Sequence, residues 1–131
     1  MELTVEHVDN LRFRVSAGRN ATTVDAAPED GGGGTALSAP SLFVAAIGAC
    51  MLEFVVNSCR LRGVPVDQLS LTMTYEEVSR PRRIARLGTT LRLEPEPSRR
   101  VQRRLIGVAR HATLVNTLAR PMDLDIRFEG T

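Results

Sequence analysis

One stretch of the sequence, residues 39–63, constrains the fold more than any other. Its middle, from Leu42 to Leu52, is a run of 11 residues in which the thiol of Cys50 is the only polar side-chain group. Two arginines and Gly63 follow, an ending typical of a helix C-terminus with a left-handed cap. A helix that is apolar on nearly every face is usually buried. The stretch therefore predicts a long, buried central helix packed under a sheet.

A membrane span is the competing interpretation of this stretch, because a spanning helix needs about 20 mostly apolar residues. Glu53, Asn57 and Ser58 interrupt the run, so a soluble core helix is favoured over a membrane helix. Small residues fill the first half of the stretch and allow another backbone to come close. Sharing of this helix with a second subunit therefore stays open.

The composition predicts one globular domain that covers residues 1–131. Hydrophobic residues make up 43% of the chain and the formal net charge is only +2, which argues against disorder. All 17 basic residues are arginines, and there are two cysteines. The N-terminus has no basic segment followed by an apolar core, so no signal peptide is predicted and the protein is expected to be cytoplasmic. The cysteines and histidines lack zinc spacing, so neither a metal nor a cofactor is expected.

The rest of the sequence predicts strands around two helices. Alternating apolar and polar residues indicate strands at 2–8, 11–17, 21–25, 69–78, 84–93 and 122–128. Ser98 can cap a second helix, in which apolar residues recur at helical spacing from Val101 to Ala112. The predicted order is β-β-β-α-β-β-α-β, which indicates an α+β sandwich and not a doubly wound sheet.

Residues 26–39 contain four consecutive glycines, Gly31 to Gly34, and predict a loop. No strand leads straight into the glycines and no Gly-Lys-Ser/Thr ending follows them, so a phosphate-binding loop is not indicated. We interpret the segment as a flexible crossing to the central helix. A lid over a site is the alternative.

The start of the central helix resembles the signature of the OsmC/Ohr family, in which a proline-led segment runs into a Leu/Ala-rich helix that ends in cysteine: Pro40-Ser41-Leu42-Phe43-Val44-Ala45-Ala46-Ile47-Gly48-Ala49-Cys50. Weaker similarities cover nearly the whole chain: Leu11-Arg12-Phe13, the glycine loop, Arg60-Leu61-Arg62-Gly63-Val64-Pro65, Ala109-Arg110-His111 and Asn116-Thr117-Leu118. The resemblance implies an OsmC-like α/β sandwich, a bacterial protein, and a homodimer whose chains intertwine around the central helices. It also implies reduction of organic hydroperoxides by a cysteine thiolate.

Carried over by position, this resemblance makes Cys50 the cysteine that attacks the peroxide. Arg12 is the best match to the arginine that stabilises the thiolate, and Arg19 is the second choice. A nearby arginine lowers a thiol pKa that burial would otherwise raise. Either arginine is equally well explained as a solvated strand or turn residue.

Two positions depart from the family pattern. Ser41 stands where the family has a glutamate, and Ala112 stands where it has the resolving cysteine. Cys59 lies nine residues after Cys50, which on one helix means about 900° of rotation and about 13.5 Å of rise. A disulfide needs Cα atoms within about 7 Å, so Cys59 is predicted not to resolve Cys50.

Two further residues have open roles. Glu53 follows Cys50 by three positions and so lies on a similar face of the helix, where it could hold an arginine in place of the missing glutamate. His111 adjoins the position of the lost cysteine. A general base is one interpretation of His111, and a surface histidine at a helix end is the favoured one.

Three hypotheses for the function remain. The first is a one-cysteine hydroperoxide reductase that depends on an external thiol reductant. The second is a catalytically inactive homodimer that binds a lipophilic small molecule. Nucleic-acid binding through the arginine clusters is disfavoured, because acidic residues balance the charge and few aromatic residues are available for stacking.

Overall fold

The structure is a computed structural model and describes residues 1–130. Three strands come first: β1 (Thr4–Asp9), β2 (Arg12–Ala17) and β3 (Asn20–Asp25). The long helix α1 (Ala39–Arg62) follows, then strands β4 (Gln68–Val78) and β5 (Arg83–Glu94). Two shorter α-helices follow, α2 (Arg99–Ala109) and α3 (Thr113–Ala119), and a single 3-10 turn covers Pro28–Asp30 in the glycine loop. The predicted mixed α+β class is confirmed.

The first five predicted strands are confirmed to within two residues at each end. Strands β1, β2 and β3 form one antiparallel sheet, in which Val5 lies opposite Val15 and Phe13 lies opposite Val24. Strands β4 and β5 form a second sheet of two strands. Both sheets follow the period-2 patterns in the sequence, because alternation places the apolar residues of each strand on one face.

The bounds of the central helix are also confirmed. Before its first turn, the hydroxyl of Ser38 accepts a hydrogen bond from the backbone N–H of Ser41 at 3.3 Å. Gly63 follows the last helical residue with a φ of 68°, a left-handed conformation that glycine adopts without strain. Ser98 caps α2 as predicted, since its hydroxyl accepts from the N–H of Val101 at 3.3 Å.

The prediction of a last strand is wrong. Residues 122–128 form no strand, and a helix, α3, occupies residues 113–119 instead of a simple connection. Met122, Leu124 and Ile126 are 71%, 81% and 81% exposed. Alternation gives this segment one apolar face, but a strand also needs a neighbour for its backbone hydrogen bonds. Neither sheet of the described residues supplies that neighbour.

The chain divides into two compact units. The first consists of Met1–Ala46 and Met73–Gly88, and the second of Ile47–Thr72 and the described residues from Thr89 onward. Val24 and Val44 are buried in the first unit. In the second unit, four buried residues form the main cluster: Val55, Cys59, Leu93 and Leu105. Partly buried apolar residues pack against it from α2, β4 and β5: Val101, Ala109, Leu69 and Leu91.

The glycine loop differs from the flexible crossing that the sequence predicts. The carboxylate of Asp25, which is 2% exposed, accepts hydrogen bonds from the N–H of Gly33, the N–H of Thr35 and the hydroxyl of Thr35. A Cβ at Gly32 would lie 1.9 Å from the carbonyl oxygen of Ala26. The loop is therefore a compact turn built around a buried carboxylate.

The central helix is less buried in the single chain than the sequence predicts. Of its most apolar 18-residue window, only 22% is buried, and Phe43, Phe54 and Leu61 are 48%, 36% and 87% exposed. By length and composition α1 could cross a membrane, but the core helix of a soluble protein satisfies the same test. One face of α1 is thus packed inside the chain while another remains uncovered.

Candidate functional site

The two cysteines lie in different environments, although both are on α1 and both are free thiols. Cys59 is 1% exposed in the apolar cluster of the second unit. Burial raises the pKa of the Cys59 thiol, which keeps it protonated and unreactive. Cys50 is only partly buried. Among the described residues, Cys50 is therefore the thiol that a small reagent can reach.

Glu53 and Phe54 follow Cys50 on the same side of α1, at three and four positions along the helix. Both side chains are exposed. Glu53 forms no ion pair with the described residues of its own unit. Within the second unit, the structure offers no arginine held by Glu53.

Ser41 takes part in a short chain of hydroxyl groups at the start of α1. Its hydroxyl accepts a hydrogen bond from Ser38 at 3.1 Å and lies 2.8 Å from the hydroxyl of Tyr75. At position 41, where the OsmC/Ohr pattern has a glutamate, this chain therefore has a serine whose hydroxyl is paired with another neutral hydroxyl group. Such a pair does not fix an arginine by charge.

Tyr75 is the residue of this group that the sequence interpretation missed. It comes from β4, 34 positions after Ser41. A signal was present in the sequence, since Leu69, Leu71, Met73 and Tyr75 alternate with polar residues and share one face of the strand. That pattern places Tyr75 on the partly buried face, but it does not identify the partner of its hydroxyl.

Arg12 has a defined partner in the first unit. Its guanidinium donates to both carboxylate oxygens of Asp9, with Nε–Oδ1 at 3.0 Å and Nη2–Oδ2 at 2.6 Å. A bidentate pair holds the guanidinium plane in one orientation. Arg19, the second choice, is exposed in the turn between β2 and β3 and has no ion-pair partner among the described residues of that unit.

His111 and Ala112 lie at the junction between α2 and α3. His111 is exposed, and its Nδ1 is 2.7 Å from the carbonyl oxygen of Gly107, to which it donates in the tautomer that carries a proton there. This contact suits a histidine that closes a helix end. Ala112 is fully buried at the N-terminus of α3. The position of the resolving cysteine is thus filled by a methyl group inside the second unit.

A cavity is present in each of the two units. In the second unit, a cleft of about 780 Å³ lies between β5 and α2, and its apolar wall includes Met51, Leu71, Leu91, Leu105 and Ile106. In the first unit, a cavity of about 560 Å³ opens at the start of α1 and is lined by Leu11, Phe13, Val24, Pro40 and Tyr75. Residues 1–130 contain no group of three or more His, Cys, Asp and Glu side chains that could hold a metal ion.

Comparison with protein families finds one match. The family model described as OsmC-like protein matches residues 31–127, which is well over half of the chain. That range includes α1 with Cys50 and continues through α3. A search of curated proteins finds no match.

Solved structures match the fold closely at low sequence identity. A protein from Psychrobacter arcticus, described as an osmotic stress induced and detoxification response protein, superposes with a TM-score of 0.83 at 19% identity, over 88% of this chain and 85% of that chain. An OsmC-like protein from Mycoplasma pneumoniae gives 0.79 at 13% identity, over 92% and 87%. An organic hydroperoxide resistance protein OsmC from Legionella pneumophila gives 0.69 at 18% identity, over 93% and 90%. These likenesses concern the fold.

Proposed function

The chain belongs to the OsmC-like protein family, and on that premise we propose that it is a one-cysteine organic hydroperoxide reductase in which Cys50 is the nucleophile. The observation that carries the proposal is the contrast between the two thiols. Cys50 is partly open to solvent at the end of the family-like segment, whereas Cys59 is sealed in the core. The hydroperoxide resistance protein with the same fold supports the choice of substrate class.

The proposed reaction begins with the Cys50 thiolate. Its sulfur attacks one oxygen of the hydroperoxide, the O–O bond breaks, and an S–O bond forms. The departing alkoxide takes a proton and leaves as an alcohol, while the cysteine becomes a sulfenic acid. The peroxide is reduced by two electrons and the sulfur is oxidised by two.

We assign the stabilisation of the thiolate to Arg12, on the strength of the family resemblance. A guanidinium near a thiolate lowers the thiol pKa, and the bidentate pair with Asp9 supplies an ordered side chain for that role. Arg19 remains the second choice. Glu53, Ser41 and His111 are proposed as supporting residues only.

Recycling of Cys50 requires a thiol from outside the chain. Ala112 cannot form a disulfide, and Cys59 is buried nine residues further along the same helix. An external thiol attacks the sulfenic sulfur, releases water and leaves a mixed disulfide, which a second thiol then reduces. We therefore propose an external thiol reductant as the second substrate.

We also propose that residues 1–131 act as one domain, that two chains form an intertwined homodimer, and that the protein is a cytoplasmic protein of bacteria. The uncovered face of α1, with Phe43 and Leu61, supports the dimer, as does the exposed apolar row from Met122 to Ile126. Exposed apolar surface of this kind marks an interaction site. Sedimentation at a series of concentrations tests the dimer, and a monomer at the highest concentration would contradict it.

A lipophilic binding protein without catalysis is the second candidate. The cleft in the second unit favours it, because its volume of about 780 Å³ suits a small ligand and its wall offers aliphatic side chains such as Leu91 and Leu105 for contact. The hydroxyl pair of Ser41 and Tyr75 favours it too, since the family's carboxylate is missing. This candidate needs no reactivity at Cys50.

The test is to expose the purified protein to cumene hydroperoxide and trap sulfenic acid with a dimedone-type reagent, read by mass spectrometry. The reductase proposal expects rapid labelling of Cys50 at stoichiometric peroxide. Cys50→Ser should remove the label, and Cys59→Ser, as the matched control, should retain it. Absence of any label at excess peroxide would exclude the reductase and leave the binding protein.

A further inference from the structure

The near-neutral charge of the whole chain hides a local excess of positive charge. Residues 97–122 contain six of the 17 arginines and none of the 15 acidic residues. Outside this segment, the remaining 11 arginines are outnumbered by those 15 acidic residues. Charge that is separated along a sequence in this way is typical of chains that bind an anionic partner.

Most of this charge lies on one side of α2. Five of the six arginines are in α2 or directly after it: Arg99, Arg100, Arg103, Arg104 and Arg110. At about 100° per residue, the five lie within an arc of about 140° around the helix axis, which we call the basic face of α2. Arg104, at the edge of the arc, is half-buried, and the other four are exposed. Leu105 is buried on the opposite side of the helix.

The charge of the basic face is not neutralised by its own chain. None of the five arginines forms an ion pair with any residue between 1 and 130. The nearest acidic residues in the sequence, Glu96 and Asp123, stand before and after the segment. Arg92, on β5, is paired with Glu94 and leaves that carboxylate satisfied. The basic face therefore presents its charge to the surroundings.

This arrangement does not help α2 to fold. Arg99 and Arg103 are four residues apart, as are Arg100 and Arg104, and like charges at this spacing repel each other on a helix. Arg99 and Arg100 also occupy the first turn, where the helix dipole favours negative charge. Apolar residues such as Leu105 attach α2 to the core without them. The arginines thus need an explanation other than stability.

Two uncharged residues complete this side of the helix. Gly107 lies near the middle of the basic face, where an added Cβ would meet nothing within 4 Å. Ile106 lies at its edge and is 48% exposed. Within residues 99–110, the basic face has no aromatic, hydroxyl or amide side chain, since Gln102 lies outside the arc and donates to the carbonyl oxygen of Pro97 at 2.8 Å. Cations and one aliphatic group are what this surface offers.

These features select the kind of partner. A second copy of this chain does not fit, because two basic faces would repel each other. A nucleic acid fits poorly, because bases are recognised by hydrogen-bonding and aromatic side chains, which this surface lacks. A bilayer with anionic headgroups offers negative charge over a plane and, just below it, an apolar layer for Ile106.

We propose that the basic face docks α2 on the surface of a membrane that contains anionic phospholipids. The arginines contact the phosphate groups, and Ile106 reaches the boundary between headgroups and acyl chains. Leu105 stays in the core, so α2 lies on the bilayer and does not enter it. The inference goes beyond the proposed function and is independent of the reactivity of Cys50.

The dimensions of the basic face suit a plane. Arg99 and Arg110 are about 16 Å apart along the helix axis, and long side chains at the edges of a 140° arc can bend toward the same surface. An arginine close to an anionic membrane strengthens binding by about fivefold. The attraction is screened by salt, because the Debye length falls from about 30 Å at 0.01 M to about 3 Å at 1 M.

The test mixes the purified protein with vesicles of one-third phosphatidylglycerol and two-thirds phosphatidylcholine, and with vesicles of phosphatidylcholine alone. Flotation on a density gradient separates bound from free protein, and a series of lipid concentrations gives the partition coefficient. We expect binding to the anionic vesicles at about 20 mM salt and binding at least about tenfold weaker at about 0.5 M salt. The neutral vesicles should not bind the protein.

Two charge-matched pairs of arginines locate the surface. Arg99→Gln combined with Arg103→Gln should lower the partition coefficient by about 25-fold, since each arginine contributes about fivefold. Arg83→Gln combined with Arg86→Gln is the control, because it removes the same charge from exposed positions of β5 that form no ion pair in the described chain. The control should lower the partition coefficient by about twofold at most.

Gly107 allows a test that removes no arginine. Gly107→Glu places a carboxylate in the middle of the basic face, and Gly107→Gln is its uncharged match. Both side chains enter open space, so both proteins should keep the fold, which circular dichroism checks. Gly107→Glu should bind the anionic vesicles about fivefold or more weakly than Gly107→Gln.

Three results would overturn the inference. The first is a failure to bind the anionic vesicles at low salt, including the case in which the protein binds a mixed-sequence RNA instead. The second is an equal loss in the two arginine pairs, which would show a response to net charge without a particular surface. The third is equal binding of Gly107→Glu and Gly107→Gln. Sulfenic acid trapping at Cys50 has no bearing on any of the three.

Discussion

The two units of the chain are stabilised by different interactions. In the first, the buried Asp25 accepts three hydrogen bonds from Gly33 and Thr35 and so organises the glycine loop. In the second, the aliphatic cluster around Leu105 and Val55 excludes solvent, and its one polar atom is the thiol of Cys59. The stability of the second unit depends on the volume of its packed side chains. The structure of the glycine loop in the first unit depends instead on the positions of a few hydrogen-bonding atoms and on the charge of one carboxylate.

The two units therefore differ in the substitutions that they tolerate. Aliphatic packing tolerates a change of shape but loses stability when volume is removed. A buried carboxylate with three donors tolerates no change of partner, since each unmade hydrogen bond leaves a buried polar group unsatisfied. Substitutions in the second unit should therefore change stability according to the volume removed, and substitutions in the first unit according to pH and salt. Four such substitutions are described below, from the largest expected effect to the smallest.

Leu105→Ala should have the largest effect, because Leu105 is only 2% exposed in the aliphatic cluster. We expect a loss of about 2–5 kcal/mol in the free energy of unfolding, measured by urea denaturation with circular dichroism. Ile106→Ala is the matched control, since Ile106 is the next residue on α2 and is 48% exposed. If Ile106→Ala lost as much free energy of unfolding as Leu105→Ala, the two sides of α2 would not differ in their packing.

Gly32→Ala tests the packing of the glycine loop. The new Cβ would meet the carbonyl oxygen of Ala26 at 1.9 Å, so the backbone must move. We expect a loss of about 1–3 kcal/mol by the same measurement. Gly107→Ala, within α2, meets nothing within 4 Å and should stabilise by about 0.5–1 kcal/mol. If both substitutions have the same sign, the loop is not the close-packed turn described above.

The pH dependence of stability distinguishes the carboxylate from the aliphatic cluster. Hydrogen bonds from Thr35 hold the pKa of Asp25 below its ordinary value of 3.8. The unfolded chain therefore takes up a proton at Asp25 first as the pH falls. The stability that this carboxylate contributes should be complete above about pH 4 and disappear as the pH drops through the lower folded-state pKa.

The measurement compares the wild-type protein with Asp25→Asn by urea denaturation between pH 7 and pH 2.5. The difference in stability should be constant near neutrality and shrink below about pH 4. Leu105→Ala should show a difference that does not change with pH, because leucine does not titrate. A pH-independent difference for Asp25→Asn would show that its charge is unimportant.

Arg82→Gln should have the smallest effect. Arg82 forms ion pairs with Asp30 at 3.2 Å and with Glu77 at 3.0 Å, but its side chain is 65% exposed. Exposed pairs contribute little to the free energy of unfolding, and salt screens them. The loss should disappear in 0.5 M sodium chloride, and Arg86→Gln, at a strand position without an ion pair in the described chain, should show no salt-dependent loss. A salt-independent loss at Arg82 would point to packing of its aliphatic stem.

Much of the fold could be predicted from local patterns in the sequence. Residues 39–62 are helical because their apolar content, capping serine and terminal glycine agree, and strands β1 to β5 follow period-2 alternation. The last predicted strand shows the limit of this reasoning. Residues 122–128 have the pattern of a strand, but pairing depends on a neighbour that no local pattern reveals.

The candidate site was predicted less completely. The segment before Cys50 singled out this cysteine as the candidate nucleophile, which stays a prediction, and the spacing of nine residues distinguished it from Cys59. The partners of Ser41 and Asp25 were not predicted, because Tyr75 is 34 residues from Ser41, and the donors to Asp25 lie eight and ten residues away on a loop with no periodicity. Contacts of this kind depend on tertiary geometry.

The arginine-only composition of the chain has a consequence for α2, which together with the next residue contains five arginines: Arg99, Arg100, Arg103, Arg104 and Arg110. Guanidinium groups stay protonated up to about pH 12, and the sequence contains no lysine whose amine could be acetylated. Neither a change of acidity within the physiological range nor lysine acylation can therefore alter the potential of this helix. The charge of this helix is therefore constant. Ionic strength still changes the range over which that charge acts, because salt screens its potential.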